Sequence, residues 1–181
     1  MKRRDLFPLG AAALLAGCGF ELRKAPDFAF TSIVINAPDS SPLGAELRRQ
    51  LAADGKVKVL TMAESTATPA GGAASTPVIA GAPAGQVIFD LLSEQREKVV
   101  VGLNSTGQVT EFQLHSRIHF RLRSARGTEL VSDTELEQHR DISFNESAVL
   151  AKEAEEGLLY RDMQSDMVQQ LMRRLAAIRT I

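Results

Sequence analysis

The sequence has one cysteine and no tryptophan in 181 residues, and a formal net charge of only −1. A single cysteine excludes an internal disulfide and a cysteine-rich metal cage. With 21 basic against 22 acidic residues, the chain lacks the clear basic excess of a nucleic-acid binder, so no nucleic acid is expected as a partner. It lacks any run of roughly 20 apolar residues, the length a membrane-spanning helix needs. Catalytic signatures are missing as well: there is no Gly-x-Ser-x-Gly, no His-Glu-x-x-His and no Walker loop. At 44% hydrophobic and 24% charged the chain is neither a disordered acidic tail nor a collagen-like fibre. Its length suits one domain.

The scarcity of cysteine draws attention to where the one present lies. Met1-Lys2-Arg3-Arg4 is a short cationic start, and a small, apolar stretch follows from Leu6 to Ala16. Together these have the form of a secretory signal peptide. Its end, Leu15-Ala16-Gly17-Cys18, resembles the bacterial lipobox at all four positions. That resemblance implies cleavage before Cys18, a diacylglycerol on its thiol and acylation of the new amino group. Several acyl chains anchor durably where a single one is marginal. Gly19 in place of an aspartate fits passage to the outer membrane, and Arg3-Arg4 also resembles a twin-arginine signal. Removing residues 1–17 leaves 164 residues (181 − 17), with 18 basic (21 − 3) and 21 acidic (22 − 1), net −3.

Residues 18–30 read as a lipidated tether, and 31–181 as a single domain. Thr31–Asn36 is β-branched and predicts a strand. Ser41-Pro42 predicts an N-cap followed by proline at the first helical position. Leu43, Leu47 and Leu51 then repeat every four residues up to a C-capping Gly55. Val57, Val59 and Leu60 suggest a second strand. Residues 63–85 are Ala, Thr, Ser, Pro and Gly almost throughout, which predicts a flexible surface loop. A long β run spans 87–101, a turn spans 104–108, and a helix capped by Asn145 runs to about Ile178. Its apolar positions are Val149, Leu150, Leu158, Leu159, Met163, Met167, Leu171, Leu175 and Ile178, with Gly157 as a kink or a point of close approach.

The clearest strand alternates. Phe112, Leu114, Ser116, Ile118, Phe120 and Leu122 share one face; Gln113, His115, Arg117, His119, Arg121 and Arg123 share the other. Ala125-Arg126-Gly127 suits a three-residue hairpin loop. That loop sets a register placing Leu122 opposite Leu130, Ile118 opposite Thr134, Arg123 opposite Glu129, His119 opposite Asp133, Arg117 opposite Glu135 and His115 opposite Glu137. The last four, opposite-sign or His–acid pairs, assign one face to the helices and one to water. His115 and His119 stand about 13 Å apart along a strand and cannot share an ion. His139 is expected opposite Gln113, near neither. No catalytic residue, metal or cofactor is expected. The fold class expected is α+β, a mixed, largely antiparallel sheet of about four or five strands with two helices packed on one face.

Arg96, Lys98 and Lys152 lie beside apolar residues, and Lys and Arg pair with phosphate oxygens. They are the candidate contacts for a phosphate-bearing lipid. Three segments carry a family resemblance: Gly17-Cys18-Gly19-Phe20-Glu21-Leu22-Arg23, then Gly107–Leu114, then Val149-Leu150-Ala151-Lys152-Glu153 leading into Gln170–Leu175. In order and spacing they resemble the LPS-assembly lipoprotein family LptE. The resemblance implies a non-enzymatic outer-membrane lipoprotein that faces the periplasm and the lumen of a large β-barrel partner, LptD. Such a protein plugs the barrel, assists its assembly and helps deliver lipopolysaccharide to the outer leaflet. It implies that Lys152, in the Leu-Ala-Lys position, contacts lipopolysaccharide phosphate. It also offers the polar barrel lumen as the partner of the charged face of His115, Arg117, His119 and Arg121. Ser105 departs from the family, whose turn often carries a basic residue there. The alternative reading is an auxiliary lipoprotein of an ABC-type lipid transport system; a lipid-anchored hydrolase lacks a nucleophile.

Overall fold

The first helix begins where its capping chemistry is best. Ser41 holds an extended backbone and its hydroxyl accepts from the Gly44 amide at 2.9 Å, with Pro42 filling the first helical position. The computed structural model describes residues 27–61 and 85–181. Cys18, the tether up to residue 26, Met62 and residues 63–84 of the expected loop lie outside them. Strand β1 (Ser32–Asn36) leads into helix α1 (Pro42–Asp54), which ends at a left-handed Gly55, and then into the short β2 (Lys58–Leu60). After the undescribed stretch come β3 (Gln86–Leu103), β4 (Val109–Ser124) and β5 (Glu129–Ser143). A 3-10 turn over Glu146–Ala148, capped by Asn145, opens helix α2 (Val149–Ala177).

The five strands form one sheet in the order β2-β1-β3-β4-β5. β1 runs parallel to both β2 and β3, and the other pairs are antiparallel. This is the mixed α+β fold that the patterning implies. β1, between β2 and β3, buries Ile33, Val34 and Ile35, the continuous apolar run usual for a parallel strand. Leu43, Leu47 and Leu51 of α1 and Met167, Val168, Leu171 and Leu175 of α2 pack with Ile33, Phe89, Ile118 and Phe120 in one core. Both helices therefore cover the same sheet face. A second, smaller cluster joins Leu114 and Ile142 to Met163. Ser41 ties α1 to the sheet by donating to Glu94 Oε2 at 2.5 Å. Ser41→Ala removes both bonds and is expected to cost about 1 kcal/mol, read as a lower urea midpoint at unchanged slope.

The hairpin between β4 and β5 corrects the expected register. The loop is as read: Gly127 sits at φ 91 and its amide returns to the Ser124 carbonyl. Arg123 stands opposite Glu129, but two irregularities follow, between Arg123 and Leu122 and between Leu122 and Phe120. Beyond them every pair is displaced by two. Leu122, between the two irregularities, faces Val131 and is displaced by one; past it Ile118 faces Leu136, Arg117 faces Glu137 and His115 faces His139. A displacement of two keeps every side chain on its face, because the pleat repeats every two residues. The helix corrects two further expectations. A side chain at Gly157 would meet open space, so no close approach occurs there. Val149, Leu150 and Leu158 are exposed rather than packed.

Candidate functional site

Alternation along β3 places Glu94, Arg96, Lys98 and Val100 opposite Ile118, Ser116, Leu114 and Phe112, on the face that the helices cover. There α2 meets them. Lys98 and Lys152 line a single cleft of about 240 Å³ with Phe112, Ile142, Ser143, Phe144, Val149, Glu153 and Glu156. Lys98 Nζ lies 4.3 Å from the centre of the Phe112 ring and donates to Glu156 Oε2 at 2.7 Å. Lys152 Nζ donates to Ser143 Oγ at 3.0 Å and to Glu155 Oε2 at 2.8 Å. Their side chains are 35% and 22% exposed. Ion pairs at such sites contribute only about 0–1 kcal/mol, so a phosphate group can take the place of either carboxylate. Glu153 and Glu156 balance the two lysines, so the charged side chains of the lining sum to zero.

Arg96 does not join them. It donates to Gln164 Oε1 at 2.9 Å, and its guanidinium lies 5.3 Å from the Tyr160 ring centre. It lines a different, larger cleft of about 400 Å³ with Pro38, Ser41, Pro42, Leu92 and Glu94. Tyr160 holds the strand between the two cations, donating its hydroxyl to the Glu97 carbonyl at 2.9 Å. Burial first, and then the nearby Glu156, push that hydroxyl's pKa up, with Arg96 opposing.

The sheet face away from the helices carries His115, Arg117, His119 and Arg121. Three of the expected cross-strand pairs exist as contacts despite the displaced register. His115 Nδ1 lies 2.9 Å from Glu137, Arg117 Nε 2.7 Å from Glu135, and His119 Nδ1 3.1 Å from Asp133. They are diagonal pairs, two residues off the direct partner, within reach of long side chains. Glu137 titrates below the ordinary range because His115 and then Arg117 hydrogen-bond to it. His139 is the direct partner of His115, with ring centres 6.1 Å apart, which corrects its expected isolation. Among the described residues no three metal-ligating side chains gather around one point.

Arg121 differs from its neighbours, and here the sequence reading missed a cluster. Asp90 of β3 stands between Asn36 of β1 and Arg121 of β4, only 2% exposed. Its carboxylate accepts from Arg123 Nε at 2.7 Å, from Asn36 Nδ2 at 2.7 Å and from Arg121 Nε at 3.2 Å. Burial raises its pKa, but the hydrogen bonds from Arg123 and Asn36 and the charges of Arg123 and Arg121 together outweigh that, so it titrates below its ordinary value. The signal was a lone acid inside the apolar run Val87–Leu92. Its meaning needed the β3–β4 register.

The LptE model, described as lipopolysaccharide-assembly, matches residues 30–175, which spans every strand of the sheet and nearly all of α2. The chain belongs to the LptE family. Its role is therefore in lipopolysaccharide assembly. Among solved structures it is similar to a lipoprotein B from Nitrosomonas europaea, at 32% identity and a TM-score of 0.67, over 88% of this chain and 91% of that one. It shares its fold with the rare lipoprotein B from Shewanella oneidensis, at 20% identity and a TM-score of 0.61, over 81% and 95%. A minor lipoprotein from Acinetobacter baumannii gives 16% and 0.58, over 83% and 94%. No curated protein matches the chain in sequence. The cleft of Lys98 and Lys152 and the charged face of β4 both lie within the segment the LptE model matches.

Proposed function

We propose that this chain is a non-enzymatic lipoprotein, acylated at Cys18, that plugs an LptD-type barrel in the outer membrane and helps deliver lipopolysaccharide through it. The observation that carries the reading is the convergence of Lys98 and Lys152, far apart in sequence, on one cleft with an aromatic wall. Phosphate oxygens on a lipid suit two ammonium groups that are already held by weak, exchangeable partners. The wet face of His115, Arg117, His119 and Arg121 suits the polar interior of a barrel. In this reading residues 1–17 are the cleaved signal and 18–30 the lipidated tether. That the similar Nitrosomonas europaea protein is itself a lipoprotein supports the anchor. Residues 31–181 form the single working domain. Arg96 is set apart from the phosphate contacts by its own cleft.

Affinity purification of the tagged chain from outer membranes tests the partner. A large heat-modifiable barrel in the eluate is the expected result; an inner-membrane transporter in its place would sink the proposal and favour the ABC-type alternative. Lys152→Asp is expected to weaken lipopolysaccharide binding about tenfold or more, since a hydrogen bond to a charged group contributes about 1.5–3 kcal/mol. Recovery of the barrel should be unchanged. Equal binding by the variant would remove Lys152 from the site.

A further inference from the structure

Strand β3 is paired on both sides only along its first part. The β1 ladder beside it ends at Asp90, while the β4 ladder continues to Leu103. Past Asp90 one edge of β3 is open. The direction of its backbone groups follows from β4, which carries no extra residue between Glu111 and Ser124. The Ser124 amide donates to the Thr128 carbonyl and the Phe144 amide to the Thr110 carbonyl, so the even-numbered residues of β4 turn toward β5. Successive residues of an antiparallel strand turn their groups to opposite neighbours, so the odd-numbered ones turn toward β3. Their partners there include Gln95, Glu97 and Val99. The amides and carbonyls of Glu94, Arg96, Lys98 and Val100 then point out over the open edge, and none meets a partner among the described residues. Edge strands are usually guarded by charged side chains. Here the charges are drawn to the helices: Glu94 accepts from Ser41, Arg96 donates to Gln164 and Lys98 to Glu156. At the head of this edge Leu92, 45% exposed, forms the cleft of about 400 Å³ with Pro38 and Pro42, where the chain leaves β1.

We propose that this edge pairs with an extended segment of the barrel partner, which lies beside β3 as an added strand over residues 94–100 and sets an apolar side chain against Leu92. This rests on the reading that the chain plugs a barrel, and it names how one part of the partner is held. Outward donors and acceptors that recur about every 6.8 Å match another extended backbone. A helix satisfies such groups internally, and a lipid headgroup offers no such repeat. The wall of a closed barrel has no free edge, so the segment is one that enters the lumen from a loop or a terminus.

The test uses the complex of the full chain with its barrel, purified from outer membranes. A photo-reactive benzoylphenylalanine is placed in turn at Gln95, Glu97 and Val99, all exposed, and the crosslinked residues are mapped by mass spectrometry. All three should land on one segment of the barrel chain, the crosslinked site stepping by two residues for each step of two along β3. Crosslinks scattered over the barrel wall, crosslinks to a second copy of this chain, or none at all overturn the inference and leave the plug standing. Absence of the barrel from the preparation overturns the plug reading, and this inference with it. Val100→Pro gives a second measurement. It removes an outward amide and spares the β4 ladder, which an edge strand tolerates; a circular dichroism scan checks that it melts with the native protein, and if it does not the crosslinks decide. Barrel recovery should fall about fivefold, while Val100→Thr, which keeps the amide, should recover the barrel as the native chain does. Equal recovery by the two variants overturns the inference.

Discussion

Asp90→Asn should destabilise the protein by about 3–5 kcal/mol, the usual result of removing one member of a buried ion pair. The loss does not come from the deleted attraction alone. Arg123 is 7% exposed and stays charged at any attainable pH, so the variant leaves its guanidinium desolvated beside a neutral amide. Asparagine keeps the size of the side chain, which separates the charge from any cavity. Urea unfolding followed by circular dichroism reads the effect; a midpoint within error of the native one would refute the account. The same carboxylate sets a pH dependence. Its folded pKa is depressed, so its contribution is fully present above the unfolded value of about 3.9 and is lost as pH falls through the folded value. The native protein should therefore lose stability below about pH 4, and Asp90→Asn should lose less over that interval.

Phe89→Ala should be comparably severe. Phe89 and Phe120 are at most 1% exposed and stack with ring centres 5.5 Å apart and planes 17° apart. They stand on neighbouring strands beneath both helices, where Leu47 and Leu171 share the core. Truncation loses the transfer free energy of the ring and leaves a cavity that two strands and two helices cannot close, at about 3–5 kcal/mol. For a domain of this size that lowers the melting temperature by roughly 10 °C. The loss should appear in thermal unfolding while lipopolysaccharide binding at low temperature persists, since Phe89 lines neither cleft. A variant that melts with the native protein would show that this core is not the one that holds the sheet.

Short-range chemistry made much of this fold legible. Ser41, Pro42 and Gly55 bound α1 because caps act within one turn, and the alternation from Phe112 to Leu122 assigned the faces of β4 because the pleat has period two. Gly127 announced the hairpin. What failed depended on more than one segment. The bulges at Leu122 displaced the β5 register by two, which loop length alone could not reveal. The charge pairs survived as diagonal contacts because Arg and Glu are long enough to span two residues. Asp90 read as an interruption in an apolar run until β3 was set against β4, which brought Arg121 and Arg123 to it.

By itself the sequence determined the elements, the faces and the family, for these follow from local periodicity and from motifs read in order. It also named Arg96, Lys98 and Lys152 as candidates, by residue type. Only the tertiary structure decided that Lys98 and Lys152 share a cleft while Arg96 belongs to another. The reason is that the position of α2 on the sheet is not encoded locally in the sequence. Where a helix lands on a sheet depends on how all the buried side chains of both pack at once.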